Sequence, residues 1–414
     1  MLYNEVLPIF GRFFVHLPIK YFQKEGIMDK TKAIILGGGQ GKRLYTLTAR
    51  RPKPCVPLEK RRLIDFAISN CLNSTHINAV DILIQTHANA LLRYIEDAYL
   101  PHVIKPVRCH VPPMPPGKEA ERFAGTADAI RQSGHVFYGS FDHILVLAGD
   151  HLYVMDYDPL IHFHARVSSD ITVVVQRFPA AKAAGQLGVF WQEGDKIHFI
   201  EKPEQPSVIP GTDQCLANLG IYVFNPQVLG RLLDECDGND FGRQVIPHAI
   251  DRGYKVDLFE HEGYWRDVGT VQSLWEANMD LTGPSPAINF YNRAWPIYHR
   301  PRYLPSPKFI NGCRIQDAIV SDGSIVAGEI ISSVLSTRIR VGSESRICQS
   351  VIFDGVTIGS GVELNKVIVD KRVRIGDGVK LGFDLANEAR RYPQLDIRDE
   401  FGGIIVIPKD VVIE

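Results

Sequence analysis

The C-terminal part of this chain repeats itself, and the period leaves it few ways to fold. Val341-Gly342-Ser343-Glu344-Ser345, Ile358-Gly359-Ser360-Gly361-Val362 and Ile375-Gly376-Asp377-Gly378-Val379 recur at a spacing of 17 residues. Aliphatic side chains stand six apart inside the units, as at Val341 and Ile347 or Ile358 and Leu364. A unit this short cannot bury its apolar side alone, so units must stack and share one core, which is the hexapeptide signature of a left-handed β-helix. An antiparallel sheet also gives short apolar runs with glycine turns, but it has no reason to keep a fixed period. The repeats account for about three or four coils.

The N-terminal part follows another rule. Apolar runs such as Val80-Asp81-Ile82-Leu83-Ile84, His143-Ile144-Leu145-Val146-Leu147-Ala148 and Asp170-Ile171-Thr172-Val173-Val174-Val175 alternate with helical stretches such as Ala90 to Leu100. That alternation predicts a Rossmann-like α/β domain with a mostly parallel sheet, in which ligands lie at the carboxyl ends of strands. At 414 residues the chain exceeds what one core usually serves, so more than one domain is expected. The boundaries read as an N-terminal extension over 1–28, an α/β domain over 29–281, a linker over 282–312 and the β-helix with the C-terminal segment over 313–414. Six prolines between Thr282 and Lys308 mark the linker. In residues 1–28 Pro8, Arg12 and Pro18 interrupt the apolar run, which argues against a signal peptide and a membrane span, and Met28 stands ready as an alternative start.

A net charge of −1 supplies no general field for nucleic acid or an anionic membrane, so neither is expected as a partner and any anion site must be assembled locally. Such a site is visible where Ala33-Ile34-Ile35-Leu36 runs into Gly37-Gly38-Gly39-Gln40-Gly41-Lys42-Arg43. Glycines let backbone N–H groups converge on an anion, and Lys42 and Arg43 add charge. The loop is neither a Walker A motif, which needs Ser or Thr where Arg43 stands, nor a dinucleotide fingerprint, which needs glycine where Lys42 stands. Seven cysteines without a Cys-x-x-Cys pair read as free thiols of a cytoplasmic protein.

The residues beyond this loop carry a resemblance. Arg50-Arg51-Pro52-Lys53-Pro54, Arg62-Leu63-Ile64-Asp65-Phe66-Ala67-Ile68-Ser69-Asn70-Cys71, Gly125-Thr126-Ala127-Asp128-Ala129, Ala148-Gly149-Asp150-His151-Leu152-Tyr153, Ile200-Glu201-Lys202-Pro203, Gly220-Ile221-Tyr222-Val223-Phe224 and Tyr264-Trp265-Arg266-Asp267-Val268-Gly269-Thr270 resemble, in order, the motifs of the ADP-glucose pyrophosphorylases, the glucose-1-phosphate adenylyltransferases. The resemblance implies a nucleotidyltransferase that joins ATP and glucose 1-phosphate and needs Mg²⁺. It puts Arg43 and Lys53 on the triphosphate as catalytic cations, with Gly37, Gly38, Gly39, Gly41 and Gly125 around the nucleotide. Asp150 and Asp267 would hold the metal ion, Asp150 being catalytic as well. Phe123, Gly188, Glu201, Lys202 and Asn218 would receive the sugar phosphate. Phe123 stands where many bacterial members have tyrosine, Ala124 where arginine or glutamine is frequent, and Asn218 where serine is usual. The Gly125 to Ala129 run is the reason for choosing adenine.

The resemblance also implies homotetramers controlled by small effectors, for which Arg50, Arg51, Arg62 and Lys409 are the candidate residues. Each of these functional readings has a plainer one beside it: surface cations, a helix cap at Asp150, a turn acid paired with Arg266 at Asp267, an ion pair before a proline turn at Glu201-Lys202. Two other functions compete. A uridylyltransferase joined to a β-helix acyltransferase needs a histidine base within the helix, and no histidine follows His299. A non-catalytic regulatory paralogue should lack the loop arginine or the acids, yet Arg43, Lys53, Asp150, Lys202 and Asp267 are all present.

Overall fold

In the computed structural model of the chain, which describes residues 29–39, 41–85, 87–99, 105–112, 123–137, 139–194, 196–310 and 312–414, the first apolar run is the central strand β1, Thr31–Leu36. Its neighbours are β2, Ile77–Leu83, and, on the other side, β4, His143–Ala148, with β3, Val107–His110, beyond β2. The order β3-β2-β1-β4 is parallel throughout. Helices Leu63–Asn73 and Ala88–Ala98 flank β2 in sequence, and the crossovers they make allow parallel neighbours. The sequence signals for the segment 1–28, for Gln40 in the glycine loop and for Leu100 lie outside the described residues.

A two-stranded ribbon follows β4. Its strands are β5, His151–Tyr153, and, more than a hundred residues later, β11, Trp265–Asp267. Between them the sheet continues through β6, Ile171–Pro179, the hairpin of β7, Val189–Glu193, and β8, Lys196–Ile200, the long β9, Gln214–Phe224, and β10, Val256–Glu260. β9 runs antiparallel to β4, β6 and β7, while β10 is parallel to β6. Two apolar layers sandwich the sheet, one around Ile35, Val80 and Leu147, the other around Ile34, Val146 and Phe224, as alternate side chains along β1 and β4 require.

From Lys308 the chain winds into coils whose strands stack in three sheets of six, five and six strands, parallel except for the edge strand Asp396–Ile397 of the third. The register advances by the repeat, Val341 over Val326 and under Ile358, so every coil adds an aliphatic rung to one core. There are more coils than the three or four read from the strict repeats. The first ones, with Ile325-Val326 and Glu329–Ile331, have Ala327-Gly328 where the later units have Gly-Ser or Gly-Asp, and they kept the pattern of buried aliphatics without the turn residues that advertise it.

The proline-rich segment lies along the helix Leu63–Asn73. The Trp295 indole donates to Asn70 Oδ1 at 3.0 Å, Asn73 donates to the Pro296 carbonyl at 2.9 Å, and the Tyr298 N–H donates to Ser69 Oγ at 2.8 Å. The β-helix packs on the α/β domain through an apolar joint of Phe66, Leu274, Val351, Phe353, Ile368 and Phe401. Beside it Nη2 of Arg51 donates to both oxygens of Asp370 at 2.7 and 2.5 Å, with almost no solvent contact.

Asp65, in the first turn of the Leu63–Asn73 helix, accepts from the Arg62 N–H at 2.7 Å and from the hydroxyls of Tyr94 and Tyr99 at 2.5 and 2.6 Å. Burial pushes its carboxyl up from 3.8 to about 6 despite these donors. The folded state therefore binds more protons than the unfolded state between these values, so stability falls as pH rises from about 4 to about 6 and levels off above. The wild type should lose roughly 2–4 kcal/mol across this window relative to Asp65→Asn. Urea unfolding of both proteins at pH 4 and pH 7.5 measures it, and parallel shifts would show that Asp65 is not responsible.

Candidate active site

β1 and β4 are adjacent but lead to connections on opposite sides of the sheet, so a crevice opens beyond their carboxyl ends. The glycine loop leaves β1 into this crevice, where the Gly37 N–H donates to the Leu83 carbonyl at 2.8 Å. A Cβ on Gly39 would lie 3.9 Å from Asp150 Oδ2, so this stretch of backbone stands close to that acid. Gly41 has φ of 62°, and its missing Cβ leaves room for the stem of Lys53, which a Cβ would approach to 3.0 Å.

The two candidate metal acids come together through the ribbon. β5 and β11 pair antiparallel with His151 opposite Asp267, which brings Asp150, one residue earlier, alongside an acid 117 residues away. Lys53 reaches both, its ammonium 2.7 Å from Asp150 Oδ2 and 3.1 Å from Asp267 Oδ1. Burial works to strip charge from Lys53, but Asp150 and Asp267 outweigh it and hold the ammonium above its ordinary range. Burial works to push Asp267 up, yet the Lys53 ammonium prevails and lowers it to about 2. Both groups are charged at neutral pH.

Arg43 lies at the rim, exposed, with a guanidinium nitrogen 3.4 Å from Gln186 Oε1, and a Cβ on Gly269 would crowd that guanidinium at 2.8 Å. Arg266 does not pair with Asp267; it bonds to Glu276 and Asp280 at 2.5 and 2.8 Å. The plain reading of Asp267 as that arginine's partner fails because adjacent residues of a strand face opposite ways.

A cavity of about 370 Å³ extends from the acids across the mouth of the sheet. Gly38, Gly39, Phe123, Gly125, Asp150, Gly188, Glu201, Lys202, Asn218 and Asp267 all line it, whereas Gly37, Gly41, Arg43 and Lys53 stand behind or at its edge. Gly188 and Gly242 make room for the Glu201 carboxylate, since a Cβ on either would come within 2.6 or 2.9 Å of Oε2. Burial pushes the Glu201 carboxyl up, with Lys202 opposing. Lys202 has φ of 54°, a left-handed conformation a lysine rarely holds without support, at a lining position. Asn218 donates to the Tyr222 hydroxyl at 2.8 Å and accepts from the Gly220 N–H at 3.0 Å, which fixes the direction of its amide.

Several lining residues had drawn no attention in the sequence: Gln85, His151, Gln186, Asp240, Phe241 and Trp265. His151 and Trp265 sit beside the two metal acids inside motifs already singled out, and their position in the ribbon was the available signal. Asp240 carries only a helix-start pattern, and its side chain does accept from the Arg243 N–H at 3.0 Å.

Asp150 and Asp267 offer oxygens only, from separate segments, the donor set of a hard cation that keeps most of its water. Among the described residues no three His, Cys, Asp or Glu side chains are gathered closely enough to hold a metal by themselves. The pair therefore fits an ion that completes its shell with water and phosphate oxygens.

The remaining candidates gather at the joint between the domains. Arg50 is exposed and pairs with Asp410 at 3.2 Å, Arg51 is taken by Asp370, and Lys409 is half-buried. Arg62 stacks on the Tyr94 ring at 3.7 Å and, with Arg302, lines a small pocket that contains Lys371. Lys371 was not among the sequence candidates; burial, then Arg62 and Arg51, push its amine down to about 7. All seven cysteines are free, and among the described residues no helix is long and apolar enough to cross a membrane.

Residues 32–283 match the nucleotidyl transferase family, and residues 305–407 match the GlmU-like C-terminal hexapeptide family. Curated relatives include the glucose-1-phosphate adenylyltransferase of Rhodopirellula baltica, 35% identical over 96% of this chain and 94% of the relative. The enzyme of the same name from Nitrosococcus oceani is 37% identical over 92% and 94%. That from Shewanella baltica strain OS185 is 37% identical over 78% of this chain and 82% of its own.

Proposed function

The chain belongs to the glucose-1-phosphate adenylyltransferase family, and on that premise we propose that it forms ADP-glucose and pyrophosphate from ATP and glucose 1-phosphate with the help of Mg²⁺. The observation that carries the reading is the meeting of Lys53, Asp150 and Asp267 at one end of a cavity whose other wall holds Glu201, Lys202 and Asn218. Enzymes of this kind use a divalent metal, which supplies neutralisation of the phosphate oxygens in the transition state.

In the reaction a phosphate oxygen of glucose 1-phosphate attacks the α-phosphorus of ATP, and the bond from that phosphorus to the bridging oxygen breaks to release pyrophosphate. The two reactants are polyanions, so repulsion and orientation set the barrier, and positioned charge lowers it. Lys53, kept protonated by its two acids, is a fixed positive charge at that point. Arg43 offers its fork from the rim. Lys202 faces the sugar's phosphate, and Glu201 and Asn218 meet its hydroxyls. Gly125, where a Cβ would stand 2.2 Å from the Asn239 carbonyl oxygen, lets the start of the helix Thr126–Gln132 close against the Asn239 backbone at the cavity wall.

The acyltransferase alternative is disfavoured by the absence of histidine after His299. The non-catalytic alternative is disfavoured by the assembled Lys53, Asp150 and Asp267. Effector binding at the inter-domain joint near Arg50, Arg51, Arg62 and Lys409, assembly as a homotetramer and a cytoplasmic location belong to the same proposal.

A substrate panel tests it: five nucleoside triphosphates against several hexose 1-phosphates, with pyrophosphate release followed. ATP with glucose 1-phosphate should be preferred, and faster turnover with UTP or dTTP would overturn the adenine assignment. Gly125→Ala should raise KM for ATP roughly tenfold, equivalent to about 1.4 kcal/mol of lost binding. An unchanged KM would take Gly125 out of the nucleotide site.

A further inference from the structure

We propose that His151 is a positioning residue of the metal site, its Nε2 accepting a hydrogen bond from a water carried by the divalent ion. The inference rests on the reading of Asp150 and Asp267 as the carboxylates that hold that ion.

His151 stands directly opposite Asp267 in the ribbon and next to Asp150 in sequence. Its ring cannot turn freely. Trp265 packs on it edge to face at 5.1 Å, and a Cβ on Gly220 would approach Cε1 to 3.3 Å, so glycine at that position, with φ of 66°, leaves the ring its room. The orientation is then set by Nδ1, which lies 3.1 Å from the Leu219 carbonyl oxygen. A carbonyl only accepts, so Nδ1 carries the hydrogen, and this is the tautomer that leaves Nε2 as the acceptor. The carbonyl that does this falls where the pairing of β9 with β6 loses register, between Asn218 and Tyr222. Such an irregularity frees a backbone group from the ladder, and here the freed group holds the imidazole.

Nε2 lies 3.7 Å from Asp150 Oδ1 and 3.9 Å from Asp267 Oδ1, too far for a hydrogen bond to either. It has no hydrogen-bond partner among the described residues. Lys53 takes Oδ2 of Asp150 and so leaves Oδ1 facing the ring. Three acceptors, two of them anionic, thus converge on one small space. A hydrated cation resolves that arrangement: carboxylate oxygens go to the ion, and one of its waters donates to Nε2. Direct ligation by His151 fits less well, because among the described residues no three such side chains are gathered for a metal and a hard cation prefers oxygen. Groups that orient a metal's ligands from one layer out typically contribute about 10–100-fold in affinity.

Mn²⁺ is the probe. In the full chain carrying histidine labelled with ¹⁵N, pulsed EPR of bound Mn²⁺ should show a weak nitrogen modulation that differs from that of unlabelled protein, as for an imidazole one water away. His151→Phe should abolish it and raise the Mn²⁺ Kd roughly tenfold. His151→Gln, whose amide oxygen also accepts, should restore most of the affinity. Asp150→Asn should weaken Mn²⁺ binding more than either; if it does not, the carboxylate reading itself fails. If Asp150→Asn behaves as expected while His151→Phe leaves Kd and modulation unchanged, only the role of His151 is overturned. A strong nitrogen coupling from direct ligation would overturn the water-mediated arrangement too. The labelled wild type needs no substitution, so a variant that fails to fold does not spoil the test.

Discussion

Asp150→Asn should lower kcat by roughly 10²–10³-fold, the range seen when one fixed electrostatic contact to a transition state is lost. The substitution keeps the shape of the side chain and removes its charge. Asp150 is the shorter of the two contacts of Lys53, and its other oxygen faces His151, so the change disturbs the ammonium and the metal site together. The side chain is about a fifth exposed, and Lys53 keeps Asp267 as its second carboxylate, so the thermal midpoint should move little. Steady-state kinetics alongside a circular-dichroism melt separates the two effects. A rate within a few-fold of wild type would remove Asp150 from the mechanism.

Arg51→Ala should cost about 3–5 kcal/mol of stability, because it strips Asp370 of its ion-pair partner in an almost dry joint and leaves it the Lys371 N–H at 2.6 Å. The double variant Arg51→Ala, Asp370→Ala should recover part of that loss, since the orphaned charge goes with its partner. Chemical denaturation of the two single variants and the double one measures the coupling. If the Arg51 variant loses less than about 1 kcal/mol, the pair behaves as a surface bridge. A functional loss should accompany the structural one. Arg51 precedes Lys53 by two residues, so loosening its tie to the β-helix frees the segment that aims the Lys53 ammonium at Asp150 and Asp267.

Much of the α/β domain was legible because its signals are local. The run Ala33 to Leu36 is strand-like, the glycines after it permit a tight exit, and Val80–Ile84 and His143–Ala148 repeat the apolar pattern of buried parallel strands. The antiparallel β9 and its irregularity at Asn218 were not visible, since they depend on which strands meet. In the β-helix the later coils declared themselves through Gly-Ser and Gly-Asp turns, and the earlier ones did not. The proline-rich segment read as a spacer, but the backbone groups of Pro296 and Tyr298 are spent on Asn73 and Ser69, a use that composition does not reveal.

For the site, the resemblance named Lys53, Asp150, Asp267, Glu201, Lys202 and Asn218; Asp150, Asp267, Glu201, Lys202 and Asn218 line the cavity, and Lys53 binds two of them. Arg51 and Arg62 looked like any surface cation in the sequence. One is locked to Asp370, and the other lies flat on Tyr94.

By itself the sequence determined the periodicities: a 17-residue repeat that can only stack, apolar runs that can only be buried, and a glycine loop with cations beside it. Those follow from side-chain volume and backbone freedom within a few residues. The tertiary structure alone decided which distant groups share a space: Asp267 beside Asp150 through the ribbon, the Leu219 carbonyl against His151, Asp370 against Arg51. The reason is that a charge or a lone pair acquires its role from what faces it at 3 to 4 Å, and chain order does not encode that distance.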